Sequence, residues 1–360
     1  MSFSFFVFCG ILLGGDAKNN DAEAAIRRIL EAWEAKRTDV KTLEAWAKVD
    51  SFYPKGYFSD ELFPKGIRIG VAPEKDTTFV GEPVSWAVDF DNKKVKKEEK
   101  LTVPMFYKQG EFEFTLDQGL HLYSNGKYRL FRPKNREVTP LAQRSGTSDP
   151  DVVLYESASH QFLLSIVDCP ILWLGGGVNG KWPDPNELRF LEDAKAFSFR
   201  GETTLKGQRC VVLSLREQQM KAGTRQFWVS LEKTCPILMC RAQDGDHVYW
   251  QVEIDYKQYR QRLVPANWKS TGFDSKGKIT KSRQYWLEEI RINEAFFSGF
   301  FDKELENGQI VFDVVENRSF VVSEKGSLLV WILGGMIAIV TICGFARHFW
   351  KKKKRGQKLS

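Results

Sequence analysis

An uncharged segment near the C-terminal end, residues 326–346, constrains this chain more than any other feature. It begins Gly-Ser-Leu-Leu-Val-Trp-Ile-Leu and stays apolar as far as Phe345. Because a helix rises about 1.5 Å per residue, roughly 20 such residues cross a bilayer core of about 30 Å. The segment therefore predicts one transmembrane helix, which would hold the rest of the chain at a membrane.

The residues that follow this segment set its expected orientation. Residues 347–360 contain seven Lys and Arg and no acidic residue. Basic residues are retained on the cytoplasmic side of a membrane span. We therefore expect a single-pass protein of the cell membrane with a cytoplasmic C-terminus and a periplasmic or otherwise extracytoplasmic body. The sequence is compatible with a tail that is kept and with one that is removed during maturation.

The first residues of the chain agree with this topology. An apolar run over residues 3–15 is followed by Ala17, as at a signal-peptidase site, and it is too short to span a bilayer as a helix. Lipid modification of Cys9 is disfavoured because the bulky Phe8 precedes it. The predicted organisation is a signal peptide at 1–17, an exported domain at 18–325, a transmembrane helix at 326–346 and a basic tail at 347–360.

The charge of the chain is concentrated in that tail. Its seven basic residues equal the whole net charge of +7, so the rest of the chain is balanced. Nucleic-acid binding relies on many Lys and Arg that neutralise phosphates, and a neutral body argues against such a partner. The lysine-rich cluster at residues 93–100 also contains acidic residues, and we interpret it as a solvated loop.

The spacing of apolar residues predicts one helix and then many strands. A helix is expected from Asp21 to about Lys36, because its apolar residues follow the i, i+3, i+4, i+7 pattern: Ile26, Ile29, Leu30 and Trp33. Later segments alternate between apolar and polar residues, which is typical of antiparallel strands with one covered face. The clearest of these strands are 84–90, 112–117 and 247–256.

The middle of the chain has a different pattern. Residues 151–174 have a more helical spacing, and the glycine- and proline-rich residues 175–185 predict a long loop. With 27 Phe and 11 Trp, the body is predicted to be folded. We predict an α+β fold in which a large antiparallel sheet curves over its helices.

No motif of the sequence points to catalysis or to a cofactor. Residues 175–181 match most of a phosphate-binding loop, but Trp182 stands where Ser or Thr would hold magnesium, and Pro183 follows where a helix should begin. No Gly-x-Ser-x-Gly or His-Glu-x-x-His motif accompanies the three histidines of the body, His121, His160 and His247. We therefore expect no enzyme and no cofactor.

The cysteines of the body allow two interpretations. They are Cys169, Cys210, Cys235 and Cys240, and none of them has the Cys-x-x-Cys spacing of a zinc site. We therefore expect no metal site. An exported domain with four cysteines could hold two disulfides, in three pairings, or it could keep the cysteines as buried thiols.

The second half of the chain resembles a known family. It contains a succession of glycine-, proline-, tyrosine- and tryptophan-marked strand segments at 201–215, 225–238, 252–256, 263–268 and 291–313. This order resembles the outer-membrane lipoprotein-sorting and carrier-like proteins of the LolA, LolB and RseB types, especially the anchored forms common in planctomycetes. The likeness covers about residues 22–323.

The resemblance implies a half-open antiparallel barrel with helices across its mouth and an apolar interior. Carriers of this type hold acyl chains there, and RseB-like members sense envelope stress and contact a membrane partner. We predict a membrane-anchored, non-catalytic domain that binds a lipid or another apolar ligand. The alternative is an envelope sensory or protein-interaction module with a packed interior. The predicted wall residues are Trp86, Phe90, Phe112, Phe114, Trp250 and Ile254.

Overall fold

The computed structural model of the chain describes an open β-sheet with one helix. The described residues are 22–35, 39–57, 73–106, 112–124, 127–132, 152–155, 170, 197–216, 224–313 and 318–322. Helix α1 spans residues 22–35. The strands are β1 (Thr42–Tyr53), β2 (Thr77–Asp89), β3 (Lys94–Phe106), β4 (Phe112–Ser124), β5 (Lys127–Phe131), β6 (Val152–Tyr155), β7 (Phe197–Leu205), β8 (Gln208–Arg216), β9 (Thr224–Ser230), β10 (Ile237–Asp244), β11 (His247–Tyr259), β12 (Arg262–Phe273), β13 (Ile279–Ile292), β14 (Ile310–Asp313) and β15 (Arg318–Val321).

All 15 strands belong to one sheet, whose order is β15-β14-β6-β5-β4-β3-β2-β1-β13-β12-β11-β10-β9-β8-β7. The outermost strands in this order are β15 and β7, so the sheet is not closed. Neighbouring strands are antiparallel except for the parallel pair of β6 and β14. The pairing of β1 with β13 joins the two meanders, β1 to β5 and β7 to β13, into a single sheet.

The strands follow the alternation that the sequence predicts. Strand β1 alternates between more and less buried residues along most of its length, and Leu43, Ala45 and Val49 are fully buried. One face of the sheet therefore carries the core. The strands predicted at 84–90, 112–117 and 247–256 lie within or largely within β2, β4 and β11. The prediction of a large antiparallel sheet is confirmed.

Helix α1 packs on this face, which we call the covered face. Ile26, Ile29 and Trp33 are buried in the same core cluster as the apolar residues of the strands. The indole of Trp33 lies edge-on against Phe197 and Phe227, at ring-centroid distances of 6.2 and 6.4 Å. The apolar stripe of the predicted helix is therefore confirmed, and it covers the β7–β10 end of the sheet.

The helical prediction for residues 151–174 is wrong at its start. Residues 152–155 form strand β6, which pairs with β5 and β14. A short run of Val, Leu and Tyr has no periodicity that separates a strand from a helix, and the tertiary pairing decides between them. Residue 170 is the other described position of this segment, and the rest of it lies outside the described residues.

In the described part of the chain, no helix has the length and apolarity needed to cross a membrane. The predicted signal peptide at 1–17, the transmembrane segment at 326–346 and the tail at 347–360 all lie outside that part. The predicted exported domain contains four of the six cysteines of the chain. Cys210, Cys235 and Cys240 are buried thiols, and Cys169 lies outside the described residues.

A single asparagine connects the start of β1 to the end of β13. Asn293 has a left-handed backbone, with φ of 61°. Its side-chain oxygen accepts hydrogen bonds from the backbone nitrogens of Lys41 (2.8 Å) and Thr42 (3.4 Å), and its amide nitrogen donates to the carbonyl oxygen of Asp39 (2.7 Å). This residue therefore stabilises the junction between the two meanders.

We expect Asn293→Ala to lower the free energy of unfolding of the full-length chain by about 1–3 kcal/mol, since it removes these bonds and strains a left-handed backbone. Urea unfolding in detergent micelles measures the change. Asn293→Gly is the matched control, because it loses the bonds but tolerates positive φ. The explanation fails if the alanine variant is as stable as the wild type.

Candidate functional site

A cavity of about 260 Å³ lies on the covered face, between strands β2, β3, β11, β12 and β13. Inward-facing residues of these strands border it at alternate positions, and Tyr57, which follows β1, completes the lining. Their side chains form two chemically different walls, which we call the aromatic wall and the charged wall. The aromatic wall consists of Tyr57, Trp86, Trp250 and Tyr285, and the charged wall consists of Lys97, Glu99, Lys281 and Arg283.

The aromatic wall is held in place by packing with the core. Trp86 is buried, and its ring centroid lies 6.0 Å from that of Trp268 and 6.3 Å from that of Tyr285. Trp268 stacks on Tyr285 at 4.8 Å with an interplanar angle of 6°. Trp250, on the opposite side, donates a hydrogen bond from its indole nitrogen to the Ser270 hydroxyl at 3.0 Å. These contacts fix the ring orientations of Trp86, Tyr285 and Trp250, so rigid aromatic surfaces border the cavity on both sides.

The charged wall contains a buried ion pair. The Nζ of Lys97 lies 2.7 Å from Oε2 of Glu99, and their side chains are only 13% and 14% exposed. The other carboxylate oxygen of Glu99 lies 2.8 Å from Nε2 of His121, whose Nδ1 lies 2.5 Å from the Tyr128 hydroxyl. Both oxygens of Glu99 are therefore engaged by partners within the sheet.

Burial and pairing oppose each other at Glu99. Desolvation alone would raise the pKa of its carboxyl group, but Lys97 and the hydrogen bond with His121 outweigh that effect and lower it well below the ordinary value. Desolvation likewise opposes the charge of Lys97, while Glu99 raises the pKa of its ammonium group. The two groups are therefore charged together at neutral pH, because each offsets the burial of the other.

Arg283 is another partly buried cation of this wall. Burial opposes its charge, but Tyr285, Tyr53 and Glu99 raise the pKa of its guanidinium group, so it remains a cation. It shares a hydrogen bond with Tyr53. Its Nε atom, in contrast, is buried and has no hydrogen-bond partner among the described residues.

The cavity contains two of the six predicted wall residues, Trp86 and Trp250. Ile254 is fully buried within the core, and Phe90 packs against it while partly exposed. Phe114 lies elsewhere on the sheet, against Phe79 at 4.8 Å and Tyr53 at 5.4 Å between ring centroids. The side chain of Phe112 lies outside the described residues. Of the five predicted side chains that the structure describes, two therefore border the cavity and three do not.

The sequence analysis did not predict the charged wall. Its interpretation of residues 93–100 as a solvated loop is wrong for most of that segment. From Lys94 onward these residues belong to β3, and Lys97 and Glu99 face the cavity. A usable signal did exist. Val95, Lys97, Glu99 and Leu101 lie two residues apart along one strand, so their side chains face the same side of the sheet. Val95 and Leu101 are buried. The same spacing therefore indicates that Lys97 and Glu99 also face inward, as a pair of opposite charges.

No known family model matches this chain, and no curated protein matches it. Similar solved structures include an outer-membrane lipoprotein-sorting protein domain from Vibrio parahaemolyticus, with 10% identity, coverage of 77% of this chain and 97% of that one, and a TM-score of 0.39. The lipoprotein LppX of Mycobacterium tuberculosis has 7% identity, coverage of 77% and 98%, and a TM-score of 0.28. The Pseudomonas aeruginosa MucA/MucB complex has 11% identity, coverage of 85% and 72%, and a TM-score of 0.24.

Lipoprotein-sorting proteins, which the sequence resembles, are thus represented among the similar structures. Because every one of these TM-scores is below 0.5, the likenesses carry no argument about this chain. The residues of this chain must therefore carry any functional argument.

Proposed function

We propose that this chain is a non-catalytic, membrane-anchored domain outside the cytoplasm that binds a lipid or another apolar ligand. The observation that supports this proposal is the cavity between Trp86 and Trp250 in an otherwise packed core. Aromatic rings that border a cavity have fewer contacts with protein atoms than rings in a close-packed interior. An apolar ligand supplies further contacts, and its own burial contributes about 0.8 kcal/mol per methylene.

The size of the cavity restricts the ligand. A volume of about 260 Å³ lies just below the roughly 300–1,000 Å³ that is usual for small-molecule sites. One short apolar segment can therefore enter, and several full acyl chains cannot. The proposed ligand is a single-chain amphiphile, or one end of a larger lipid. A domain anchored by residues 326–346 would meet such molecules at the membrane surface.

The proposal predicts the behaviour of Trp250→Ala. The full-length chain in lipid nanodiscs would be exposed to a fatty alcohol with a photoreactive diazirine on its chain, and the labelled peptides would be found by mass spectrometry. We expect labelling of β11–β13 in the wild type and a loss of about tenfold or more in the variant, because a buried aromatic side chain contributes about 1.5–3 kcal/mol.

Trp286→Ala is the matched control for this experiment. Trp286 also lies on the sheet, but it is 41% exposed and does not border the cavity. Its replacement should leave the labelling unchanged. If the wild type is not labelled on β11–β13, or if both variants lose the label equally, the cavity is not a site for an apolar ligand.

A protein-interaction module is the second candidate, and one surface feature favours it. The loop between β13 and β14 contains Phe296, Phe297, Phe300 and Phe301, whose rings contact one another at centroid distances of 4.6–5.1 Å. Phe297 is 71% exposed, which is unusual for so large an apolar side chain. A photoreactive amino acid at position 297 that captures one defined protein, together with an unlabelled cavity, would favour this candidate.

A further inference from the structure

The charges that border the cavity do not balance. Among its lining residues, Lys97, Lys281 and Arg283 are basic and only Glu99 is acidic. Both carboxylate oxygens of Glu99 already have partners, because one pairs with Lys97 and the other with His121. The described wall therefore has an excess of positive charge next to aromatic rings.

Arg283 shows where this excess is least compensated. A guanidinium group has five N–H donors in a planar fork. The Tyr53 hydroxyl takes part in one hydrogen bond with it, while Nε is buried without a partner among the described residues. A buried donor without an acceptor costs about 1–3 kcal/mol, and more when it is charged. Arg283 also borders the cavity, so an acceptor bound there would compensate its buried charge.

Oxyanions fit this position better than neutral acceptors do. A carboxylate or a phosphate presents two or more oxygens in the geometry that a guanidinium fork can bind in a bidentate manner. It would also neutralise the positive charge that Arg283 places at the cavity. The rings of Trp86 and Trp250 leave an apolar surface for the rest of the molecule.

We infer that the ligand of this cavity is an anionic amphiphile, with one carboxylate or phosphate held by Arg283 and an apolar chain against Trp86 and Trp250. This inference rests on the proposed function and specifies its ligand class. Arg283 provides the selectivity for the anion, and the aromatic wall provides affinity that does not depend on the head group. The two contributions can be separated by experiment.

The test compares two photoreactive probes of equal chain length, a diazirine fatty acid and the corresponding fatty alcohol, on the full-length chain in nanodiscs of neutral lipid. We expect the acid to label β11–β13 about tenfold more than the alcohol, since a charge-assisted hydrogen bond is worth roughly that factor. Arg283→Met should abolish this preference by lowering the labelling by the acid only. Arg283→Lys keeps the charge and should retain part of the preference.

Arg291→Met is the matched control, because Arg291 lies on the same strand but is exposed and pairs with Glu289. It should leave the preference intact. Competition of unlabelled fatty acid and of unlabelled lysophosphatidic acid with the probe distinguishes a carboxylate ligand from a phosphate ligand, and displacement by either one supports the inference.

Equal labelling by acid and alcohol in the wild type would overturn the anion inference and leave the proposed apolar site standing. The absence of cavity labelling by either probe would overturn both. These outcomes are read from the wild type alone, so they do not depend on the folding of any variant.

Discussion

Replacing Glu99 with glutamine is expected to lower the free energy of unfolding of this chain by about 3–5 kcal/mol. The substitution removes the charge that compensates Lys97, whose side chain is 13% exposed and lies 2.7 Å from the carboxylate. It also removes the charged acceptor of the His121 ring. Urea unfolding of the full-length chain, followed by tryptophan fluorescence in detergent micelles, measures the effect.

Two controls separate the buried pair from a general effect of charge. Glu288→Gln breaks the exposed pair of Lys48 and Glu288, whose side chains are 55% and 48% exposed, and should cost no more than about 1 kcal/mol. The double variant Lys97→Met/Glu99→Gln should recover part of the loss, because Lys97 is no longer an unpaired buried charge, while Arg283 still loses the nearby charge of Glu99. A Glu99→Gln protein that is as stable as Glu288→Gln would contradict the structure of the charged wall.

The same pair predicts a response to acid. The pKa of Glu99 is lowered from its ordinary value of 4.5, so the folded state binds this proton less readily than the unfolded state does. Its contribution to stability is fully present above the unfolded-state pKa and is lost as the pH falls through the folded-state pKa. Below pH 4.5, the wild type should therefore lose stability with decreasing pH more steeply than Glu99→Gln.

Trp33→Ala is the second substitution with a large expected effect, also about 3–5 kcal/mol. Trp33 is buried in α1, contacts Phe197 and Phe227, and donates a hydrogen bond of 2.9 Å from its indole nitrogen to the carbonyl oxygen of Cys235. The alanine variant leaves a cavity between α1 and the sheet. It also leaves the Cys235 carbonyl oxygen without this donor.

Hydrogen exchange locates the consequence of Trp33→Ala. Protection should fall most in α1 and in β7–β10, while β2–β4 should change less. Trp33→Phe is the control, because it retains an apolar ring. It loses the hydrogen bond, which costs about 0.5–1.5 kcal/mol, and a small part of the packing. A uniform loss of protection over the whole sheet would argue against a local role for α1.

The sequence was sufficient where a pattern repeats along one segment. The spacing of Ile26, Ile29 and Trp33 predicts both α1 and its buried face, and the alternation in β11 predicts a strand. Such patterns report the secondary structure because they depend on geometry within a few residues. The short strand β6 contains no such pattern, and only its pairing with β5 and β14 makes it a strand.

The candidate site was harder to predict because it depends on contacts between distant segments. Trp268 and Trp286 both lie in strands with aromatic residues, yet the first is fully buried and the second is 41% exposed. Nothing near either residue in the sequence distinguishes them, since the register of β12 on β13 decides which face each occupies. The burial of Lys97 and Glu99 is difficult to predict for a related reason. Each charged side chain is stable in a buried position only because the other is next to it.

The position of β1 in the sheet has a consequence for biosynthesis. Strand β1 lies between β2 and β13. During translation β2 is synthesised soon after β1, whereas β13 is complete only at residue 292. Until then the Thr42–Tyr53 backbone has one open edge, and open edges recruit strands from other chains. A nascent chain that is arrested or truncated before β13 would thus be a seed for aggregation, and productive folding has to wait for a strand made near the end of translation.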